Sequence, residues 1–303
     1  MKTQKDKALP CRPYMLHSPI EEKLFEPHTI YIKRDDLLSP EFSGNKARKF
    51  YYYLQNDFPH IKKIVSYGSN QSNAMYSLSV LAKIKGWKFD YYVNHLPSYL
   101  GENPHGNFKH ALDNGMTIHV GEDVSTAMIK KSILFIEEGG REENAEYGLK
   151  ILADEIAIWK KEQGIEALNI FLPSGTGTTA LYLQKNSSDC VYTTPCVGDV
   201  EYLKKQFLML EENEKNHPFI LVPSKKRHFG KLYRESYKIW LKLQDKMGIE
   251  FDLLYDPVGW LILLENPEIF QKPTLYIHQG GLIGNESMLA RYQRKYDMIK
   301  KEI

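Results

Sequence analysis

Cysteine is scarce in this chain: Cys11, Cys190 and Cys196 are the three among 303 residues. Three thiols make no disulfide framework and suit a reducing compartment, so a cytoplasmic protein is the expectation. Cys190 and Cys196 lack the second cysteine pair that a metal knuckle needs. Long apolar runs are missing as well. The most apolar stretch, Trp260-Leu261-Ile262-Leu263-Leu264, stops at Glu265, which excludes a helical membrane span there. The basic start Met1-Lys2-Thr3-Gln4-Lys5-Asp6-Lys7 is followed by no apolar core, which speaks against secretion. Charge of one sign does not dominate: the formal net charge is +2, and Lys and Arg are spread along the chain. No nucleic-acid stripe is therefore expected. Ten histidines form no His-Glu-x-x-His, and His105 and His110 are too far apart for one helical face, so no metal is expected. What is present is an ordinary globular composition, 42% hydrophobic and 26% charged, in a chain long enough for two domains.

Periodicity divides the chain into alternating strands and helices. Tyr31-Ile32-Lys33, Ile61 to Tyr67, Phe89 to Val93 and Met116 to Val120 have strand character. Helices are predicted after Lys46, from Ala74 to a stop at Gly86, and over Phe108 to Leu112. A second series starts near Ala145, where Leu149, Leu152, Ile156 and Trp159 keep helical spacing. Strands follow at Leu168 to Leu172, Cys190 to Thr194, Phe219 to Val222 and Thr274 to Ile277. Helices are predicted over Tyr202 to Leu210, Leu232 to Met247 and Met288 to Ile299. This alternation predicts an α/β protein with mostly parallel sheets covered on both faces and ligands beyond the strands' carboxyl ends.

Several polar loops fall at those ends. Ser43-Gly44-Asn45-Lys46 sets an amine in a turn-forming surround. Ser174-Gly175-Thr176-Gly177-Thr178-Thr179 lies between a strand and a helix, where backbone N–H groups can hold a phosphate. The run Gly175 to Ala180 also matches the loose dinucleotide fingerprint G-x-G-x-x-A. That reading wants an acid at the end of the next strand, which instead ends in Thr194-Pro195. No Lys-Ser/Thr follows the glycines, so a Walker A loop is excluded. In Gly68-Ser69-Asn70-Gln71-Ser72-Asn73, Ser72 can be a plain N-cap or a hydroxyl offered to a carboxylate. Glu137-Glu138 and Glu142-Glu143 read as solvated charge around a Gly139-Gly140 turn.

Taken together, Ser43 to Lys49, Gly68 to Asn73, Ser174 to Thr179, Asp256-Pro257-Val258 and His278-Gln279-Gly280-Gly281 span most of the chain. In that order they resemble the fold type II pyridoxal-phosphate enzymes, and within them the 1-aminocyclopropane-1-carboxylate deaminase and D-cysteine desulfhydrase family. The resemblance implies two three-layer α/β/α domains with the cofactor between them. The large domain would comprise residues 1–48 and 152–303, and residues 49–151 would form the inserted small one. It implies pyridoxal 5'-phosphate on Lys46, which would also move the substrate's α-proton. Lys49 would meet the phosphate beside Gly175, Thr176, Gly177, Thr178 and Thr179. Asn73 would bond the ring's phenolic oxygen, Gln279 would lie near its nitrogen, and Gln71, Ser72 and Asn73 would receive a small amino acid. A homodimer is implied, with no nucleic-acid or membrane partner.

The sequence departs from that family after Asp256-Pro257-Val258. A tyrosine and a glutamate or threonine are typical there, and this chain has Gly259 and Trp260. Gly259 removes a phenol, and Trp260 brings bulk in place of the acid that pairs with the ring nitrogen in the deaminase branch. Desulfhydrase chemistry on D-cysteine or a related β-substituted amino acid is therefore the preferred expectation, ahead of cyclopropane ring opening. A cofactor-binding homologue with little or different activity and a dinucleotide enzyme are the further alternatives. Tyr255 and Tyr67 are the candidates to replace the missing phenol, and core packing is the plain alternative for Trp260.

Overall fold

The computed structural model describes residues 17–127 and 130–296. Cys11, the basic N-terminal stretch and the last residues of the helix expected to reach Ile299 lie outside them. The chain begins with a hairpin of β1 (Ile20–Phe25) and β2 (His28–Arg34), Ile20 opposite Lys33. Helix α1 (Gly44–Gln55) leads into β3 (Lys63–Tyr67), α2 (Asn73–Lys85), β4 (Lys88–Val93), α3 (Ser98–Glu102), α4 (Gly106–Asp113), β5 (Met116–Val120) and β6 (Ile133–Ile136). Helix α5 (Ala145–Glu162) then precedes β7 (Asn169–Ser174), α6 (Thr178–Lys185), β8 (Cys190–Pro195), α7 (Val200–Leu208) and β9 (Phe219–Ile220). The described chain closes with α8 (Arg234–Met247), α9 (Asp256–Glu265), β10 (Thr274–His278) and α10 (Gly284–Tyr296).

These strands form two sheets. One has the order β1-β2-β10-β7-β8-β9 and is parallel except for β1; the other is β5-β4-β3-β6 and parallel throughout. The expected α/β class and mostly parallel pairing are what the structure has. Strands β1 and β6 are additions to the sequence reading, and β9 is shorter than the Phe219 to Val222 expected.

Every residue of β7 and β10 is buried, as central strands covered on both faces require. Their side chains alternate between two cores. Phe171 and Tyr276 face α8 and α9 with Trp240, Leu243 and Trp260, whereas Ile170, Leu172, Leu275 and Ile277 face Leu149, Leu152, Ile156 and Leu183. Trp260 is fully buried, its ring stacked on Tyr276 at 4.6 Å, so core packing is its role in the structure.

Helix α1 is held from behind by a buried ionic cluster. Arg48 donates to Asp35 at 2.6 and 2.7 Å and to Glu155 of α5 at 2.9 and 3.1 Å. Burial alone would raise the Asp35 carboxyl, yet the Arg48 guanidinium holds it below its ordinary value. The two helices also touch backbone to backbone. A Cβ at Gly148 of α5 would stand 2.0 Å from the Arg48 carbonyl oxygen, so only glycine fits.

Candidate active site

The loops after β3, β6, β7 and β10 converge with the start of α1 on one cavity of about 240 Å³. Gly44 makes this possible. Its φ is +67°, and a Cβ there would fall 2.0 Å from the Gln279 carbonyl oxygen, which instead accepts from Asn45 N–H at 3.0 Å. The start of α1 is thereby pinned to the end of β10. Lys46 and Lys49, one turn apart, both line the cavity. Burial lowers the Lys46 ammonium to about 8, against the opposing pull of the Asp252 carboxylate. Lys49 is 2% exposed, and its Nζ donates to the Gly139 carbonyl at 3.0 Å. Burial, reinforced by the Lys46 charge, pushes it well below an ordinary lysine, and Glu142 opposes this. Among the described residues no carboxylate lies within ion-pair distance of either lysine. Two buried amines without a salt bridge are poised for an anion and for nucleophilic chemistry.

Across from them is the Gly175–Thr179 loop. Gly177 at φ +73° caps the start of α6, and a Cβ there would collide with Phe207 and Leu203. Gly175, Thr176, Gly177 and Thr179 line the cavity, whereas Thr178 is wholly buried and pairs with the Thr176 hydroxyl at 3.2 Å. Asn45 ties this wall to α1, its Nδ2 donating to Thr179 Oγ1 at 3.3 Å and to Gln279 Oε1 at 2.9 Å. Gln279 spends its other end on the Pro173 carbonyl at 2.7 Å. Its side chain lines the cavity but acts as a brace with both amide ends committed.

The third wall is the entry to α2. Ser72 is an N-cap: its Oγ accepts from Ala74 N–H at 3.1 Å and Met75 N–H at 3.4 Å. It lines the cavity at the same time. Asn73 Oδ1 accepts from Asn107 at 2.6 Å, which turns Nδ2 toward Gly281. Gln71 bonds the His105 carbonyl at 3.0 Å and Phe108 N–H at 3.4 Å, fixing the loop into α4.

Some wall residues were not singled out from the sequence. Asp252, in the loop before α9, is 2% exposed; its Oδ1 accepts from Leu254 and Tyr255 N–H groups, and its Oδ2 has no partner. Burial raises this carboxyl to about 6, with the loop N–H groups and Lys46 opposing. Tyr255 and Phe229, 5.1 Å apart, supply an aromatic side. In the acidic turn after β6, Glu138 and Glu143 are exposed as expected, although Glu138 and Gly139 also line the cavity; Glu142 departs from that reading and is half-buried behind Lys49. Burial raises the Glu142 carboxyl to about 7, although it accepts from Tyr53 OH at 3.0 Å. Of the two phenols considered as replacements, Tyr255 is in the wall and Tyr67 bonds Glu137 outside it. Gly259 packs against Pro173 and the Tyr276 hydroxyl, and neither it nor Trp260 reaches the cavity. No group of metal-ligating side chains occurs among the described residues, and none of their helices is long and apolar enough to cross a membrane.

Neither a known protein family nor a curated protein matches the sequence. Solved structures do match. An ACC deaminase homologue superposes with a TM-score of 0.77 at 21% identity, over 93% of this chain and 94% of that one. The fold is fold type II. A hydrogen sulfide-producing enzyme from Fusobacterium nucleatum shares it at a TM-score of 0.65 and 10% identity, over 91% and 99% of the two chains. A fungal L-serine ammonia-lyase from Rhizomucor miehei does so at 0.64 and 12%, over 92% and 98%. At these identities the likeness establishes the fold type II architecture alone.

Proposed function

We propose that this protein is a pyridoxal 5'-phosphate-dependent enzyme acting on a small amino acid. The observation that carries this reading is the pair of lysines, Lys49 buried and Lys46 half-buried, facing a glycine–threonine loop across one cavity. The residues fit the group. A phosphate at the N-terminus of α6 would meet the N–H groups of the Gly175–Thr179 loop, the Thr176 and Thr179 hydroxyls and the Lys49 ammonium. Lys46, with an amine lowered to about 8, is free at neutral pH often enough to react with an aldehyde. Asn73 Nδ2 would offer a donor to the ring's phenolic oxygen, and Gln279, braced by Asn45 and the Pro173 carbonyl, would lie near the ring's nitrogen. Bound there, the cofactor would supply an electron sink for the substrate's α-carbon.

The chain's own residues would then orient the amino acid and move its protons. The Ser72 hydroxyl, at the entry to α2 where the helix dipole favours an anion, would receive the carboxylate. Lys46 takes the α-proton, and Tyr255 and Phe229 exclude water on the outer side. The reaction we favour is β-elimination from D-cysteine or a related β-substituted amino acid: the β-substituent departs with its electron pair, and the product hydrolyses to pyruvate and ammonia. Ring-opening deamination of 1-aminocyclopropane-1-carboxylate is the second reading, supported by the structural likeness to the ACC deaminase homologue. We further infer that the two sheets mark two units, residues 49–151 inserted between 1–48 and 152–303, and that the enzyme is a cytoplasmic homodimer.

Purified protein supplied with pyridoxal 5'-phosphate is expected to turn yellow. Borohydride should bleach it and leave a mass adduct on Lys46, absent in Lys46→Ala. Protein that stays colourless and takes up no cofactor would sink the proposal. Sulfide and pyruvate from D-cysteine favour the first reaction; 2-oxobutyrate from the cyclopropane acid with none from D-cysteine reverses the order.

A further inference from the structure

On the function proposed above, a phosphate at the start of α6 gains from every hydroxyl that can turn toward it, because hydrogen bonds to a charged acceptor are the strong ones. The hydroxyls around the Gly175–Thr179 loop are not equally free. Ser174 Oγ is buried and shares a hydrogen bond of 2.7 Å with Thr193 Oγ1 of β8. Thr178 is buried and tied to Thr176, and Thr179 Oγ1 already accepts from Asn45. Tyr255, in the opposite segment before α9, differs from all of these. Its N–H donates to Asp252 Oδ1, and its carbonyl accepts from Gly259 N–H at 3.0 Å and from the Cys196 thiol. The backbone is thus held on both sides. The Tyr255 hydroxyl has no hydrogen-bond partner among the described residues, and it is not one of the interior polar atoms closed off from solvent. Its side chain is half-buried and lines the cavity.

Where that hydroxyl lies follows from Gly175. A Cβ on this first glycine of the loop would meet Tyr255 Cε1 at 3.3 Å and Oη at 3.5 Å. The edge of the phenol that carries the oxygen therefore packs on the loop itself. Phe229 supports the ring from 5.1 Å away. Tyr202, another phenol in the wall, packs elsewhere: a Cβ on Gly198 would fall 2.6 Å from its ring. Burial, and after it the Asp252 carboxylate, holds the Tyr255 phenol above the ordinary tyrosine value. It stays protonated at neutral pH and keeps its hydrogen to donate.

We propose that Tyr255 donates a hydrogen bond to the phosphate of the bound cofactor. It completes a cradle made by the loop N–H groups, the Thr176 and Thr179 hydroxyls and Lys49. Tyr255 serves the phosphate end of the cavity, so it does not stand in for the phenol that is missing at Gly259. Its hydroxyl favours pyridoxal 5'-phosphate over pyridoxal, which has the same ring and aldehyde and no phosphate.

The test compares these two ligands on the full chain. Dissociation constants for each are read from the visible band, in the wild type and in Tyr255→Phe. The variant keeps the ring with its packing on Phe229 and Gly175 and loses the oxygen. Pyridoxal 5'-phosphate should bind to it roughly tenfold or more weakly, since a hydrogen bond to a charged group is removed. Pyridoxal should bind as before. Equal losses for both ligands would mean that the phenol acts on the ring, and no loss for either would mean that it is idle; each result overturns the assignment. Should the variant fail to fold, or pyridoxal bind too weakly to measure, a crystal structure of the loaded wild type decides. Tyr255 Oη about 3 Å or less from a phosphate oxygen supports the proposal, and a separation beyond hydrogen-bond reach overturns it. No uptake of pyridoxal 5'-phosphate by the wild type sinks the proposed function and this inference with it. Uptake with the same preference in both proteins sinks only the role of Tyr255.

Discussion

Replacing Gly148 by alanine adds one methyl group to the inside of α5, and its effect separates two opposing forces. In an isolated helix the change is favourable by about 1 kcal/mol, because glycine is the poorer helix former. Here the new Cβ would lie 2.0 Å from the carbonyl oxygen of Arg48, 2.9 Å from its carbonyl carbon and 3.2 Å from its Cα. Ordinary contact is about 3.5 Å between carbon atoms, so the helices must part by roughly 1 Å or more. The clashing atoms are backbone in mid-helix and cannot rotate aside. Overpacking of this kind costs about 3 kcal/mol at the upper end of the usual range. The expected net loss is about 2 kcal/mol, read as a lower midpoint in urea with unchanged slope. Because α1 carries Lys46 and Lys49, the displacement should also weaken pyridoxal phosphate uptake. Gly101→Ala is the control, since its Cβ would meet only Leu96 at 3.7 Å. Gly148→Ala with wild-type stability would refute the close approach of α1 and α5.

Arg48→Met removes the guanidinium that pairs Asp35 and Glu155, leaving the buried Asp35 with only the Ser18 hydroxyl and the Lys33 charge to offset its burial. A loss of about 3–5 kcal/mol in chemical denaturation is expected; a loss below that of Gly148→Ala would show the cluster to be dispensable. Lys46→Met, in protein free of cofactor, is expected to stabilise at neutral pH by about 3 kcal/mol. The sign follows from the lowered folded value, about 8 against 10.5: the unfolded chain binds the proton more tightly between those limits, so the penalty is complete below about 8 and is relieved as pH rises toward 10.5. Melting curves from pH 7 to 10.5 should converge for the two proteins, and a gap independent of pH would count against burial of that amine.

The parts of the cavity that were legible in the sequence are those whose local chain conformation is unusual. A glycine before a lysine at a helix start, and glycines alternating with threonines after an apolar strand, are visible because turns demand particular residues. Lys46, Lys49 and the Gly175–Thr179 loop accordingly line one cavity. Asp252 was not legible. In Phe251-Asp252-Leu253-Leu254 a single acid among apolar residues has no period and no neighbouring motif, and only the tertiary structure places it in the cavity wall. Gln71 and Gln279 line the cavity, yet their amides are committed to backbone groups and to Asn45, partners that sequence does not display. Within the acidic turn after β6 it was Glu142 that departed from the solvated reading, because solvation of a glutamate depends on what packs over it, here α1 with Lys49. Strand β1 was hidden by Glu21, Glu22 and Lys23, which an exposed edge tolerates.

The position of β10 has a consequence for how the molecule is made. This strand, residues 274–278, lies in the middle of the larger sheet between β2 and β7. On a ribosome, residues 20–34 emerge first and then wait through some 240 further residues for the neighbour that completes their pairing. The four-stranded sheet is assembled from one continuous stretch, residues 63–136, and has no such wait. Synthesis therefore delivers the four-stranded sheet early and leaves the other open along its centre until residues 274–278 have been made. During that interval the exposed edges of β2 and β7 are surfaces for mispairing between nascent chains, and a stop codon shortly before residue 274 would leave that vulnerability permanent.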